Sequence, residues 1–173
     1  MRASKVSVLT VSILGLALST PGFAAQECRK VIGKFHETPI HTFLSPGDPF
    51  GRVLTVTVGT LNATGTGILT SVGPGPTPGT LGATTRHLFM VSIEDQLIAT
   101  GVAVFTPIPG TRNVNDVLTL TITGGTGKFA SATGTIVATG IGFNFFPLPP
   151  GPSAANQSHF EFTLSGEICG IEK

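Results

Sequence analysis

The chain is poor in charge: only 11% of its 173 residues are Asp, Glu, Lys or Arg, against a usual quarter or so. It has no Trp or Tyr and only two Cys, and no apolar run approaches the ~20 residues of a membrane-spanning helix. Each scarcity excludes something. Low charge with 40% hydrophobic residues and a mean hydropathy of +0.38 argues against a disordered chain. Lys and Arg number 10 against 9 acids and are scattered apart from Arg29-Lys30. No basic surface is therefore available to neutralise phosphates, which excludes nucleic acid as a partner. What the chain has instead is 23 Gly, 13 Pro and 12 Phe. The glycines show no three-residue period, so collagen is excluded as well.

Residues 1–24 read as a secretory signal peptide. Arg2 and Lys5 precede an apolar stretch from Val6 to Leu18, and Gly22 and Ala24 supply small residues before the cut. The mature chain, 25–173, is expected to be one domain with acids in slight excess, secreted or otherwise extracytoplasmic. Cys28 and Cys169 stand near its two ends, and in an exported protein an isolated pair reads as a disulfide. Such a bond requires the two ends to lie side by side.

Strand signals fill the mature chain. In 117–123 (VLTLTIT), Leu118, Leu120 and Ile122 share one face and threonines the other; 160–168 (FEFTLSGEI) alternates likewise. Segments 31–37, 53–58, 68–72, 87–93, 97–105 and 135–145 complete eight strands. The fold class predicted is all-β, an eight-stranded antiparallel up-and-down barrel following the leader. Short turns are expected near Leu61-Asn62, at Glu94-Asp95 and at 124–127. Long Pro-rich loops are expected at 38–51, 73–83, 106–115 and 147–157. All the long loops then fall at one end, a mouth bordered by Phe43, Phe50, Phe105, Phe143, Phe145 and Phe146. Glycines inside strands suggest points where the sheet bends sharply.

Familiar chemical motifs are missing. The run 125–130 (GTGKFA) has dinucleotide-fingerprint spacing, but a strand follows where that motif needs a helix. Gly127-Lys128 lacks the rest of a P-loop, and no nucleophile elbow is present. His36, His41, His87 and His159 have no paired metal spacing, although His36, His41 and Asp48 offer a conceivable loop site. Neither metal nor cofactor is expected. His159 shares parity with Glu161 and should face water. By the same parity, Glu37 (with Val31 and Phe35) and His87 (with Phe89, Val91 and Ile93) should point inward near the mouth. There, desolvation would perturb both pKa values and allow proton exchange. Read structurally instead, they are a buried polar pair or two rim residues. Asn62 and Asn156 begin glycosylation sequons.

The segment 118–140 (LTLTITGGTGKFASATGTIVATG), with 87–105 (HLFMVSIEDQLIATGVAVF) before it and 159–168 (HFEFTLSGEI) after it, resembles the allene oxide cyclase and dirigent barrels. The likeness covers about His87 to Ile168 and rests on a strand entering a Gly-Gly-Thr-Gly turn before an aromatic. It implies an eight-stranded antiparallel barrel with an apolar cavity. It also implies a Glu near the end of the first strand, which Glu37 matches. The family's asparagines near that Glu have no equivalents here, and Pro39 follows.

Three functional expectations follow. One is a secreted barrel binding a small hydrophobic molecule, guiding its stereochemistry or only holding it, with Phe105, Phe143, Asn144, Phe145 and Arg86 lining the site. Another is an isomerase or cyclase using Glu37 with His87. The third is an extracellular interaction module acting through its Pro/Phe-rich rim, toward another protein or a second copy of itself. Whether the protein is an enzyme is left open by the residues alone.

Overall fold

The computed structural model describes residues 27–37, 49–50, 55–58, 61–145 and 159–172. The expected leader lies outside them, as do most of loop 38–51 and all of 147–157. His41, Phe43, Asp48, Phe146 and Asn156 lie there too, so the loop metal reading and much of the expected rim fall outside the described residues.

Among the described residues the protein is all-β. Its strands are β1 (Cys28–Glu37), β2 (Pro49–Phe50), β3 (Thr55–Val58), β4 (Leu61–Pro74), β5 (Leu81–Met90), β6 (Gln96–Pro107), β7 (Val114–Gly125), β8 (Thr133–Phe143) and β9 (His159–Cys169). The two-residue β2 aside, these are the eight expected strands. All pair antiparallel in one sheet, mostly with their neighbours in sequence. β4 pairs with β3 and β2 on one side and β5 on the other, while β1 pairs with β3 and β9. Each of the eight longer strands thus has a hydrogen-bonded neighbour along both edges. Among these eight, the thinnest ladders are the short ones that β3 makes with β1 and β4. Among the described residues no helix is long and apolar enough to cross a membrane.

Several strands depart from their expected bounds. β6 runs to Pro107 instead of Phe105, β7 begins at Val114 instead of Val117, and β5 ends at Met90, so the expected inward Ile93 lies beyond it and is exposed. β4 begins at Leu61 instead of Ile68, and β5 at Leu81 instead of His87. Their Thr/Gly-rich starts resemble loop sequence. Even so, Thr64, Thr66 and Thr84 are exposed while Gly65, Gly67 and Thr85 are buried, a strand alternation. The connections 75–80 and 108–113 are correspondingly short, much like 91–95 and 126–132 at the other end. The predicted contrast between long and short loops therefore does not hold for these two.

The inward residues follow a pattern of small against large. Paired across β8 and β9 are Gly142 with Phe160, Gly140 with Phe162, Ala138 with Leu164, Ile136 with Gly166 and Gly134 with Ile168. Across β4 and β5, Gly65 meets Phe89 and Gly67 meets His87. Across β6 and β7, Ala103 meets Leu118, Gly101 meets Leu120 and Ala99 meets Ile122. Inward glycine is unfavourable in an ordinary strand. Here the neighbouring ring or branched chain occupies the vacated volume, which keeps the interior close-packed.

Beside the 91–95 turn, at one end of the sheet, lies the 3-10 turn Gly127–Phe129, whose Phe129 is fully buried. The Thr126 N–H donates to the Gln96 carbonyl, and Thr126 Oγ1 donates to the Glu94 carbonyl at 2.6 Å. Lys128 Nζ lies 2.9 Å from Asp95. Gly127, at φ 54°, sits where a Cβ would strike Asp95 and Glu94, so a glycine is required there. The Gly-Gly-Thr-Gly run thus pins the 91–95 turn to the end of β7 and the 3-10 turn that follows it.

Cys28 and Cys169 form the expected disulfide, directly opposite each other across β1 and β9. It closes a separation of 141 residues and so removes much of the freedom of the unfolded chain. Reduction should lower stability by about 2–5 kcal/mol. Urea titrations with and without reductant check this; coincident midpoints would contradict it.

Candidate functional site

The inward side chains include four polar ones that are buried: Glu37, Thr85, His87 and Asp116. Glu37 ends β1, facing inward with Val31. Thr85 and His87 lie two apart on β5 and so point the same way. Asp116 enters on β7, in parity with Leu118, Leu120 and Ile122. All four line one cavity, with Ala103, Phe105, Leu118 and Phe160 as its apolar wall. Counted as the space open to the centre of a water-sized sphere, it measures about 20 Å³, room for about one water molecule.

His87 is positioned by what its neighbours lack. A Cβ on Gly67 would lie 2.9 Å from His87 Nδ1, and one on Gly101 would lie 3.2 Å from Nε2. The imidazole stacks on Phe89, with centroids 5.7 Å apart and planes 3° from parallel. Its Nε2 is 2.7 Å from Thr85 Oγ1, whereas Nδ1 has no hydrogen-bond partner among the described residues. A Cβ on Gly101 would also collide with Thr85 Oγ1. The Thr85–His87 pair therefore depends on two glycines flanking β5.

Burial governs the protonation of these groups. It pushes the Glu37 carboxyl from 4.5 up to about 7. Asp116 rises from 3.8 to about 8, through burial first and the negative charge of Glu37 second. Burial lowers His87 from 6.5 to about 4. Near neutrality the imidazole is uncharged and both carboxyls can hold or release a proton, which suits them to hydrogen bonding or proton exchange with a bound molecule. One carboxylate oxygen, Asp116 Oδ1, is buried with no hydrogen-bond partner among the described residues. No Lys or Arg is among the described residues lining the cavity.

Of the aromatic residues expected at the site, Phe105 lines the cavity. Phe145 packs over it, 4.8 Å from Phe105 and 5.8 Å from Phe160 between centroids, forming an aromatic cluster at the loop end. Phe143 instead stacks on His159 at 4.8 Å, and neither lines the cavity. The Asn144 backbone N–H donates to Asn113 Oδ1 at 3.0 Å, and the residue has φ 52°, so it serves the turn. Arg86 points outward, into a shallow groove shared with Ile68, Leu88 and Ile98. His87 is not at the mouth: with β5 starting at Leu81, it lies six residues into the strand. The two partners that motif reading missed are Asp116 and Thr85. Extending the parity of Leu118 and of His87 by one step toward the N-terminus would have found both.

The buried groups predict an unusual pH profile. Both carboxyls bind protons more tightly folded than unfolded. Their contribution to stability is therefore complete below about pH 4 and is lost as pH rises through about 7 for Glu37 and about 8 for Asp116. His87 acts oppositely: its contribution is present above 6.5 and lost as pH falls toward about 4. With two groups against one, the Tm should fall by roughly 5 °C or more between pH 5 and 8, and Asp116→Asn should flatten that fall. Calorimetry across this range checks both; a Tm rising with pH would contradict the assignment.

Compared with protein-family models, curated proteins and solved structures, the chain matches none of them.

Proposed function

We propose that this is an exported β-barrel that binds a small molecule with an apolar body and a polar end in its interior, entered from the end where Phe105, Phe145 and Phe160 cluster. The observation that carries this reading is a buried cavity where Glu37, Asp116, Thr85 and His87 meet an apolar wall, the combination typical of small-molecule sites. The barrel reading is supported by the pairing of β4 with both β3 and β5. An eight-stranded barrel has an interior barely wider than its own side chains, in keeping with the small void. Export is supported by the leader-like start and the disulfide. The likeness to allene oxide cyclase and dirigent barrels is supported by the strand count and order, and by the place of Glu37 at the end of the first strand.

In this reading the ligand's apolar body takes the place of the Phe145 ring against Phe105 and Phe160, while its polar end meets the carboxyls. A second reading, an isomerase or cyclase, is favoured by the complete burial of Glu37 beside His87 in the cavity, which pushes its carboxyl up to about 7, so it can take up and return a proton at neutral pH. Unchanged turnover in Glu37→Gln would exclude that chemistry.

Nile red, a neutral apolar dye, should bind saturably and raise the Tm. Ala103→Leu, which puts bulk into the cavity wall, should weaken binding about tenfold or more. Fluorescence titration measures both effects, and a dye signal that does not saturate in the wild-type protein would refute the reading.

A further inference from the structure

The proposed ligand site has an unbalanced chemistry. Its two ionisable acids, Glu37 and Asp116, face a void of about 20 Å³, and no basic side chain is among the described residues lining it. Asp116 is 4% exposed, yet its Oδ1 has no hydrogen-bond partner among the described residues. A buried carboxylate left unpaired is strongly unfavourable, and the described residues supply nothing to pair with it. The surrounding strands do not correct the balance. Among the described side chains, β4, β6, β8 and β9 turn no titratable group inward; β1 contributes Glu37, β7 Asp116 and β5 the neutral His87. Lys34, His36, Arg86, Glu161 and Glu167 are all exposed on the outer side.

We propose that the cavity between Glu37 and Asp116 seats a primary ammonium group, so that the ligand class is small amines with an apolar body. This rests on the reading of the interior as a ligand site and specifies its polar end. An ammonium is about the size of a water molecule and carries three donors, which suits a void for one water lined by carboxylate, hydroxyl and imidazole groups. A trimethylated ammonium is too large for it. The rings of Phe105 and Phe160 line the same void and favour a cation over a neutral group. An acid as ligand would place a third negative group beside two carboxyls, so fatty acids and similar anions are disfavoured. Binding is a proton balance: a protonated amine meets a neutral carboxyl, the carboxyl releases one proton to solvent, and the resulting carboxylate pairs with the ammonium.

The test is isothermal titration of the mature protein with hexylamine, 1-hexanol and hexanoate, three ligands that share one apolar body. At pH 7 hexylamine should bind about tenfold or more tightly than hexanol, with hexanoate weakest. At pH 6, buffers of different ionisation enthalpy should report about one proton released per amine. Amine affinity should rise between pH 5 and 8 as the carboxyls ionise, while hexanol affinity should not. In Asp116→Asn, checked for folding by its melting curve, the preference for amine over alcohol should collapse. If that variant does not fold, the wild-type pH series decides alone. Equal affinity for amine and alcohol, or tighter hexanoate, overturns this proposal and leaves the ligand site standing. Failure of all three ligands to bind overturns both.

Discussion

A sheet that packs its inward side chains against one another can hold only so much bulk. Here that limit is met by giving adjacent strands unequal shares of it. β4, β6 and β8 present mostly glycine and alanine inward, whereas β5, β7 and β9 present rings and branched chains. Ile136 opposite Gly166 reverses the division at one place, but the fit is close: a Cβ on Gly101 would come within 2.9 Å of Leu118, and one on Gly142 would meet both the Phe160 ring and Val114. Glycine normally weakens a strand through lost entropy and lost packing. In this protein the neighbouring chain supplies the packing, and the fixed register, reinforced by Cys28–Cys169, keeps each small residue opposite its large partner.

The same arrangement decides where charge can reside. Most inward positions are taken up by matching small with large, and the buried polar residues among those described are Glu37, Thr85, His87 and Asp116, around one small void. The outer faces of β6, β7 and β8 carry no charged residue and are built chiefly of threonine and valine. Threonine suits a strand because its branched side chain fits the pleated surface and its hydroxyl stays hydrated. The scarcity of charge in the chain therefore has two sources, hydroxyl-bearing outer faces and an interior where an unpaired charge is costly.

Much of the fold was legible in the alternation of Leu118, Leu120 and Ile122, and in the run from Phe160 to Ile168, because a face that is wet on one side writes itself into every second residue. The disulfide was legible from its isolation in the sequence. Glycine was misleading. Gly65 and Gly67 read as punctuation when their neighbours are unknown, but they are strand interior once Phe89 and His87 are seen opposite them. That error shortened β4 and β5, moved His87 to the mouth and exaggerated the loops. Parity placed Glu37 and His87 inward correctly, yet Asp116 was overlooked because β7 was taken to begin one residue after it. The side chains of Phe143 and Arg86 went elsewhere for a related reason: nearness to a strand end says little about which face a residue occupies.

Packing and protonation act against each other at the centre of the molecule. The small-against-large rule could have been completed with apolar residues at 37 and 116, and replacing buried ionisable groups with apolar ones is commonly neutral or stabilising. Two acids instead occupy those inward positions, each destabilising the folded chain once it ionises. Thr85 and His87 satisfy one another in part, but neither neutralises a carboxylate. Stability alone gives no reason for such a pair, whereas an interior that must exchange charge or protons with an entering molecule does, because strain at a functional site is where local physical rules are most often broken.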